Sequence, residues 1–246
     1  MPIFFVAQAC IAPPTISITG DLLTHLRNSL RVTKGEAIWF GNGEGTRFMA
    51  EITDVSKGAI TAHIIETIRE PARRTPRLIL GESLLKGEKM DWVVQKVTEL
   101  GISKIIPIES RHSVIQLKAD RVDHQLARWQ RIALEAAQQS EQWHVPEIAI
   151  PRSLSTLLAD HATNTTILML AEREEGKSLQ TVPLPHGTDA SVLALVGPEG
   201  GWSNEEKGVA QQVGVEMISL GQPILRSETA AMATISILQS RLGGLG

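Results

Sequence analysis

Near residue 77 the sequence changes its period, and that change limits the folds open to the chain more than any other feature. Before it, short apolar runs alternate with turn signals: IFFV, TISI, AIWF, RFMAEI and AITAHII, with Gly41-Asn42-Gly43 as a hairpin turn between two of them. After it, short apolar runs alternate with longer segments whose apolar residues recur every three or four positions. Strands joined through helices need crossover connections, so the second part is expected to be α/β, a mostly parallel sheet covered on both faces. The first part is expected to be a small β-barrel. The expected domains are residues 1–70 and 76–246.

Within the barrel one short helix fits DLLTHLRNSLRV, with Asp21 as N-cap and Leu22, Leu26 and Leu30 four apart. The segment REPARRTPR, 69–77, suits neither strand nor helix because of its prolines and charges. Its arginines, Arg69, Arg73, Arg74 and Arg77, fit either a solvated linker or a phosphate contact. Beyond it RLILG, KIIPI, TILML, SVLALV and EMISL read as strands. EKMDWVVQKVTELG reads as a helix with Met90, Val93, Val94, Val97 and Leu100 on one stripe and Gly101 as its stop. A long helix follows, with Val122, Leu126, Trp129, Ala133 and Ala136 facing inward, and further helices begin near Ser203 and Glu228.

Composition removes several classes of function. Apolar runs fall short of the roughly 20 residues of a membrane span, so no span is expected. MPIFFVAQAC lacks a basic lead and Gln8 interrupts it, which favours a first strand over a signal peptide. Cys10 is the only cysteine, so no internal disulfide forms and a reducing cytoplasm is expected. The seven histidines show no H-x-x-x-H, and no metal is expected. The net charge is -3, which argues against bulk attraction to nucleic acid.

The stretch LALVGPEGGWSNEEKG carries chemistry. Ser203-x-x-Glu206 matches a capping box, so a helix starts just after the glycines, and Gly197, Gly200 and Gly201 occupy a strand-to-helix turn. At the carboxyl end of a parallel strand such a turn lets main-chain N–H groups approach a ligand. Glu199 within the loop disfavours a phosphate, and neither a Walker lysine nor G-x-G-x-x-G spacing is present. A nucleoside without phosphates fits better. A twin turn follows the next strand in SLGQPILRSETAAMATISILQSRL, through Gly221 and Pro223. There Ser227 is the expected cap, and Met232, Ile235, Leu238 and Leu242 form the helix stripe. Arg226 precedes the helix where no packing stripe demands it.

LVGPEGGWSNEE together with LGQPILRSETAAMATI resembles the paired C-terminal motifs of SPOUT-class RNA methyltransferases, and specifically the ribosomal RNA small subunit methyltransferase E family. KGEKMDWVVQKVTELGISKIIPI and RWQRIALEAAQQS are similar to its middle motifs, and HLRNSLRVTKGE to its N-terminal barrel. The resemblance spans essentially the whole chain. It implies a PUA-like barrel that helps hold RNA, a SPOUT-type sheet with a deep trefoil knot, a homodimer, and S-adenosylmethionine-dependent methylation of uracil N3 in 16S rRNA of the small ribosomal subunit. By motif, the cofactor residues would be Leu170, Val196, Gly197, Pro198, Gly200, Gly201, Leu220, Gly221, Ile224 and Leu225. S-adenosylmethionine carries a sulfonium cation and no phosphate, which suits a loop bearing a carboxylate.

Uracil N3 must lose its proton, so the same resemblance makes Arg226 the expected partner of the developing oxygen charge. Glu199, Glu228 and Thr229 remain open as proton acceptors or orienting groups. RNA contacts would fall on Arg27, Arg31, Arg73, Arg74 and Arg111. The chain departs from the family's pattern at Ile3, at Arg111-His112, and at Gln138-Gln139 and Gln142, on segments expected near the RNA. Activity on another RNA position, or RNA binding without catalysis, are the alternative readings.

Overall fold

The structure, a computed structural model, describes residues 3–72, 75–160, 164–171 and 177–245. Two compact units divide the chain. One holds the residues up to Ala72 together with Ala137–Val145; the other holds the stretch up to Ala136 and Pro146–Gly246.

The first unit is a curled sheet of β1 (Ile3–Phe5), β2 (Ile11–Ala12), β3 (Thr15–Ile18), β4 (Ala37–Gly41), β5 (Thr46–Val55) and β6 (Ile60–Arg69), in the order β1-β4-β5-β6-β3-β2. Only β1 and β4 pair parallel. Period-two alternation turns Phe48, Ala50 and Ile52 of β5 inward onto Phe4, Ile16 and Phe40. The helix expected at 21–32 exists but is divided, α1 (Gly20–Thr24) running into a π-helical turn at His25–Leu30. Asp21 is not its cap: Thr19 holds that position without a side-chain bond, and Asp21 lies in the first turn. Leu23 and Leu26 are the buried leucines; of the expected stripe only Leu26 is buried, Leu22 packs partly against the core and Leu30 is exposed.

Ala137–Val145 also belongs to this unit, which no pattern in the sequence announces. Gln138 Oε1 accepts from the Phe5 N–H at 2.9 Å, and the Arg47 guanidinium lies 3.6 Å from the Trp143 ring centroid. His144 and Glu70 meet at 2.7 Å. Gln138 and Ile3, two of the departures from the family pattern, are thereby explained as packing residues, Ile3 being buried in β1.

The second unit contains β7 (Arg77–Ser83), β8 (Lys104–Glu109), β9 (Glu147–Ile148), β10 (Arg152–Ser153), β11 (Thr165–Leu170), β12 (Lys177–Ser178), β13 (Ser191–Val196) and β14 (Glu216–Ser219). Every pair among them is parallel, in the order β10-β8-β7-β13-β11-β14-β12 with β9 beside β8. Its helices are α2 (Lys89–Glu99), α3 (Ala119–Gln139, of which the residues from Ala137 on belong to the first unit), α4 (Leu154–Ala159), α5 (Asn204–Gln212) and α6 (Ser227–Leu242). Strands buried on both faces read as continuous apolar runs, as SVLALV does. Leu193 and Leu195 join a core with Leu154, Leu157 and Ala210 on one face, while α6 packs on β7, β13 and α2.

Gly81 sits inside β7 because an added Cβ would stand 2.6 Å from Leu195 and 2.9 Å from Ile108. Gly101, at φ 79°, ends α2 as expected, and Gln239 Nε2 of α6 donates to the Leu100 and Gly101 carbonyls left open there. Among the described residues no helix is long and apolar enough to cross a membrane.

Candidate cofactor and active site

Strands β13, β11 and β14 are neighbours, and their carboxyl ends open into one cavity of 770 Å³. That size suits a nucleoside-sized ligand. The walls come from three loops: Leu170 at the end of β11, Val196 to Gly201 after β13, and Leu220 to Arg226 after β14. All ten expected cofactor residues line it, as do Arg226 and Glu199. Glu228 and Thr229 follow on α6 and do not line it, and Thr229 is exposed.

Each glycine of the first loop has its own reason. Gly201 has φ 69°, a left-handed conformation that a side chain would strain. A Cβ on Gly197 would lie 3.1 Å from Trp202 Nε1, and one on Gly200 would lie 3.0 Å from His112 Cβ. The Trp202 indole N–H donates to the Leu170 carbonyl at 3.1 Å, tying this loop to the end of β11. His112 Nδ1 lies 3.1 Å from the Gly201 carbonyl, which can only accept, so Nδ1 carries the proton. The capping box is present: the Glu206 N–H bonds Ser203 Oγ at 3.2 Å, and the Ser203 N–H bonds Glu206 Oε2 at 2.8 Å.

The second turn is built differently. Gly221, at φ 115°, donates its N–H to Ser219 Oγ at 3.1 Å. The N-cap is Arg226, with no side-chain bond, and Ser227 is already helical. Ser227 does not cap because its hydroxyl is engaged across the turn, 2.8 Å from Glu82 Oε1 and 2.6 Å from the Gly197 carbonyl. Glu82, at the end of β7, is completely buried, and its Oε2 has no partner among the described residues. Burial pushes its carboxyl well above the usual range; a bond given by Ser227 to the ionised form opposes this, while Glu228 and Glu199 add to it.

Lys89, on the first turn of α2, joins the two carboxylates left open by the sequence. Its Nζ is 2.8 Å from Glu199 Oε1 and 3.6 Å from Glu228 Oε2. The bond to Lys89 holds the Glu199 carboxyl below its usual range, and Glu199 in turn raises Lys89. This corrects the expectation that a bare carboxylate in the loop repels phosphate, because the lysine compensates its charge. The preference for a nucleoside rests instead on the apolar walls of Leu170, Val196, Leu220, Ile224 and Leu225. Arg226 is exposed and has no ion-pair partner among the described residues.

Sequence reasoning passed over Glu82, Lys89 and Trp202, and noted His112 only as a departure from the family pattern. Glu82 had a signal, a carboxylate inside the apolar strand RLILGES. Of the expected RNA contacts, Arg27 is tied to the Lys57 carbonyl at 3.0 Å and Arg31 is exposed, both in the first unit. Arg111, in the second, is paired with Glu205, and its N–H donates to Glu206 at 3.0 Å. Arg73 and Arg74 lie outside the described residues. Among the described residues no group of three His, Cys, Asp or Glu side chains is placed to hold a metal.

Residues 73–239 match the RNA methyltransferase domain family, and residues 18–65 match the RNA methyltransferase PUA domain. The ribosomal RNA small subunit methyltransferase E of Bacillus subtilis is 33% identical over 231 residues, spanning 92% of this chain and 90% of that one. Its Synechocystis counterpart is 30% identical over 95% of this chain and 76% of its own. The same enzyme from Neisseria gonorrhoeae, solved bound to S-adenosyl methionine, superposes with a TM-score of 0.87 at 30% identity, covering 98% of both chains. A putative Legionella pneumophila methyltransferase, solved with the bound cofactor, superposes with a TM-score of 0.87 at 26% identity over 97% of both. The chain belongs to the ribosomal RNA small subunit methyltransferase E family.

Proposed function

We propose that the protein methylates N3 of one uridine in 16S rRNA, using S-adenosylmethionine held between the two strand-to-helix turns. What carries the proposal is the convergence of three loops on one cavity lined by Arg226 and Glu199, with Lys89 bound to Glu199 and 3.6 Å from Glu228.

Leu220, Ile224 and Leu225 would pack the adenine, and the main chain of the loop from Val196 to Gly201 would reach the adenine and ribose. When bound, S-adenosylmethionine supplies an electrophilic methyl group on a positively charged sulfur. The chain's own residues must take the N3 proton and balance the charge that its departure leaves. Glu228 is assigned the proton: its Oε2 is buried without a hydrogen-bond partner among the described residues, and Lys89 Nζ is farther from it, at 3.6 Å, than from Glu199. Glu199, held ionised by Lys89 at 2.8 Å, is the poorer acceptor and orients Lys89 instead. The Arg226 guanidinium, free of any ion pair among the described residues, faces the negative charge that develops on the uracil oxygens. Thr229, exposed on the first turn of α6, is an orienting contact for the RNA.

In the same reading the residues up to 70 form an RNA-holding domain with Arg27 and Arg31, and residues from 76 onward form the catalytic domain. Its C-terminal part is trefoil-knotted, and the protein works as a homodimer in the cytoplasm, on 16S rRNA assembled in the small subunit.

The test is incubation of purified protein with small ribosomal subunits and labelled S-adenosylmethionine, followed by nucleoside mass spectrometry. One N3-methyluridine per 16S rRNA is expected, formed far more slowly with Arg226→Ala. Methyl transfer to another position would assign a different substrate, and cofactor binding without transfer would favour the non-catalytic alternative.

A further inference from the structure

Ser227 Oγ has two oxygens within hydrogen-bonding distance and one hydrogen to give. Glu82 Oε1 is 2.8 Å away and the Gly197 carbonyl oxygen 2.6 Å away. A carbonyl only accepts, so the shorter contact is a hydrogen bond only when Ser227 donates to it. Its lone pair then faces Glu82 Oε1, and that contact is attractive only when Glu82 supplies the proton. With an ionised Glu82, two lone pairs would oppose each other at one contact or the other. The surroundings agree. Glu82 pairs in register with Val196 on one side and Pro107 on the other, both apolar, and it is fully buried with Oε2 unpartnered among the described residues. A lone neutral carboxyl oxygen costs far less to bury there than part of an anion.

We propose that Glu82 is a positioning residue for the cofactor: a neutral carboxylic acid that donates to Ser227 Oγ, so that Ser227 donates to the Gly197 carbonyl and fixes the two turns in one arrangement. This rests on the cavity being the S-adenosylmethionine site. The relay joins the end of β7, the first helical residue of α6 and the first glycine of the loop after β13, so it carries the pairing of β7 with β13 across to the start of α6. Both Gly197 and Ser227 line the cavity. Only charge at Glu82 breaks it. The charged groups facing it are Glu228 from α6 and Glu199 from the glycine loop, both near Lys89 of α2. The two carboxylates oppose ionisation of a third. Raising the pH until Glu82 ionises therefore removes its donor, and affinity for the cofactor falls; below that pH the relay is complete.

The experiment combines infrared difference spectroscopy on the ligand-free protein with calorimetric titration by S-adenosylmethionine across pH. Wild type should show a protonated-carboxyl band that Glu82→Gln removes. Glu82→Gln supplies an amide N–H to Ser227 and should bind within about threefold of wild type at neutral pH, without the alkaline decline. Glu82→Leu and Ser227→Ala should each bind about tenfold more weakly, the loss of one buried hydrogen-bonded partner. If Glu82→Leu fails to fold, Ser227→Ala decides the affinity. Absence of the band, or wild-type affinity in Ser227→Ala, overturns the relay. A wild type that shows the band but binds no S-adenosylmethionine instead overturns the cofactor assignment.

Discussion

The two strand-to-helix turns of the site occupy equivalent places after parallel strands, yet they are held by different means. The turn after β13 closes on itself: Ser203 and Glu206 cap each other three residues apart, and Gly201 supplies the left-handed residue. The turn after β14 enters α6 with no side-chain cap and depends on Glu82, 145 residues away in sequence, through Ser227. A locally closed turn is robust and orients backbone. A turn held from a distance leaves an exposed arginine lining the cavity, with no ion-pair partner among the described residues.

Mutations can break this contrast, and the largest effect is expected at the open turn. Arg226→Ala should lower turnover by about 10²- to 10³-fold while leaving cofactor affinity and thermal unfolding near wild type. Equal losses in turnover and affinity would instead make it a binding residue. Glu228→Gln is expected to lower turnover by about 10²-fold, more than Glu199→Gln, in single-turnover measurements. The reverse order would exchange the roles given to the two carboxylates.

At the closed turn the expected effects are structural and smaller. Gly201→Ala forces a side chain onto a φ of 69° and should destabilise the fold by about 1–2 kcal/mol in denaturant titration. Ser203→Ala removes one half of the capping box, at about 1 kcal/mol. The relay gives a further signature in stability against pH. A carboxyl raised in the folded state binds a proton there that the unfolded chain has lost, so its contribution is complete below the ordinary carboxylate range. It declines as pH rises from that range towards the folded value. The stability difference between wild type and Glu82→Gln should therefore move in favour of the variant as pH rises, and a difference independent of pH would contradict the raised carboxyl.

The same contrast explains what the sequence made legible. The capping box, the Gly101 stop and the apolar strands are written within a few residues of where they act, and the strands bring the three loops to one cavity. The caps assigned to Asp21 and Ser227 failed because position in the chain does not reveal what else a side chain can reach. Thr19 precedes the first helix without using its side chain, and Ser227 finds Glu82 and Gly197. Lys89 and Trp202 were visible as residues, but their partners Glu199 and Leu170 are 110 and 32 residues distant. Ala137–Val145 joined the first unit for the same reason, through Gln138, Trp143 and His144.

A crystal structure of the protein with S-adenosylmethionine tests the shared pocket most directly. The adenosine should lie between the glycine loop and the Leu220 to Arg226 turn, its methyl group towards Arg226 and Glu228. Density for the ligand anywhere else, with both turns empty, would contradict the site and the chemistry assigned to it.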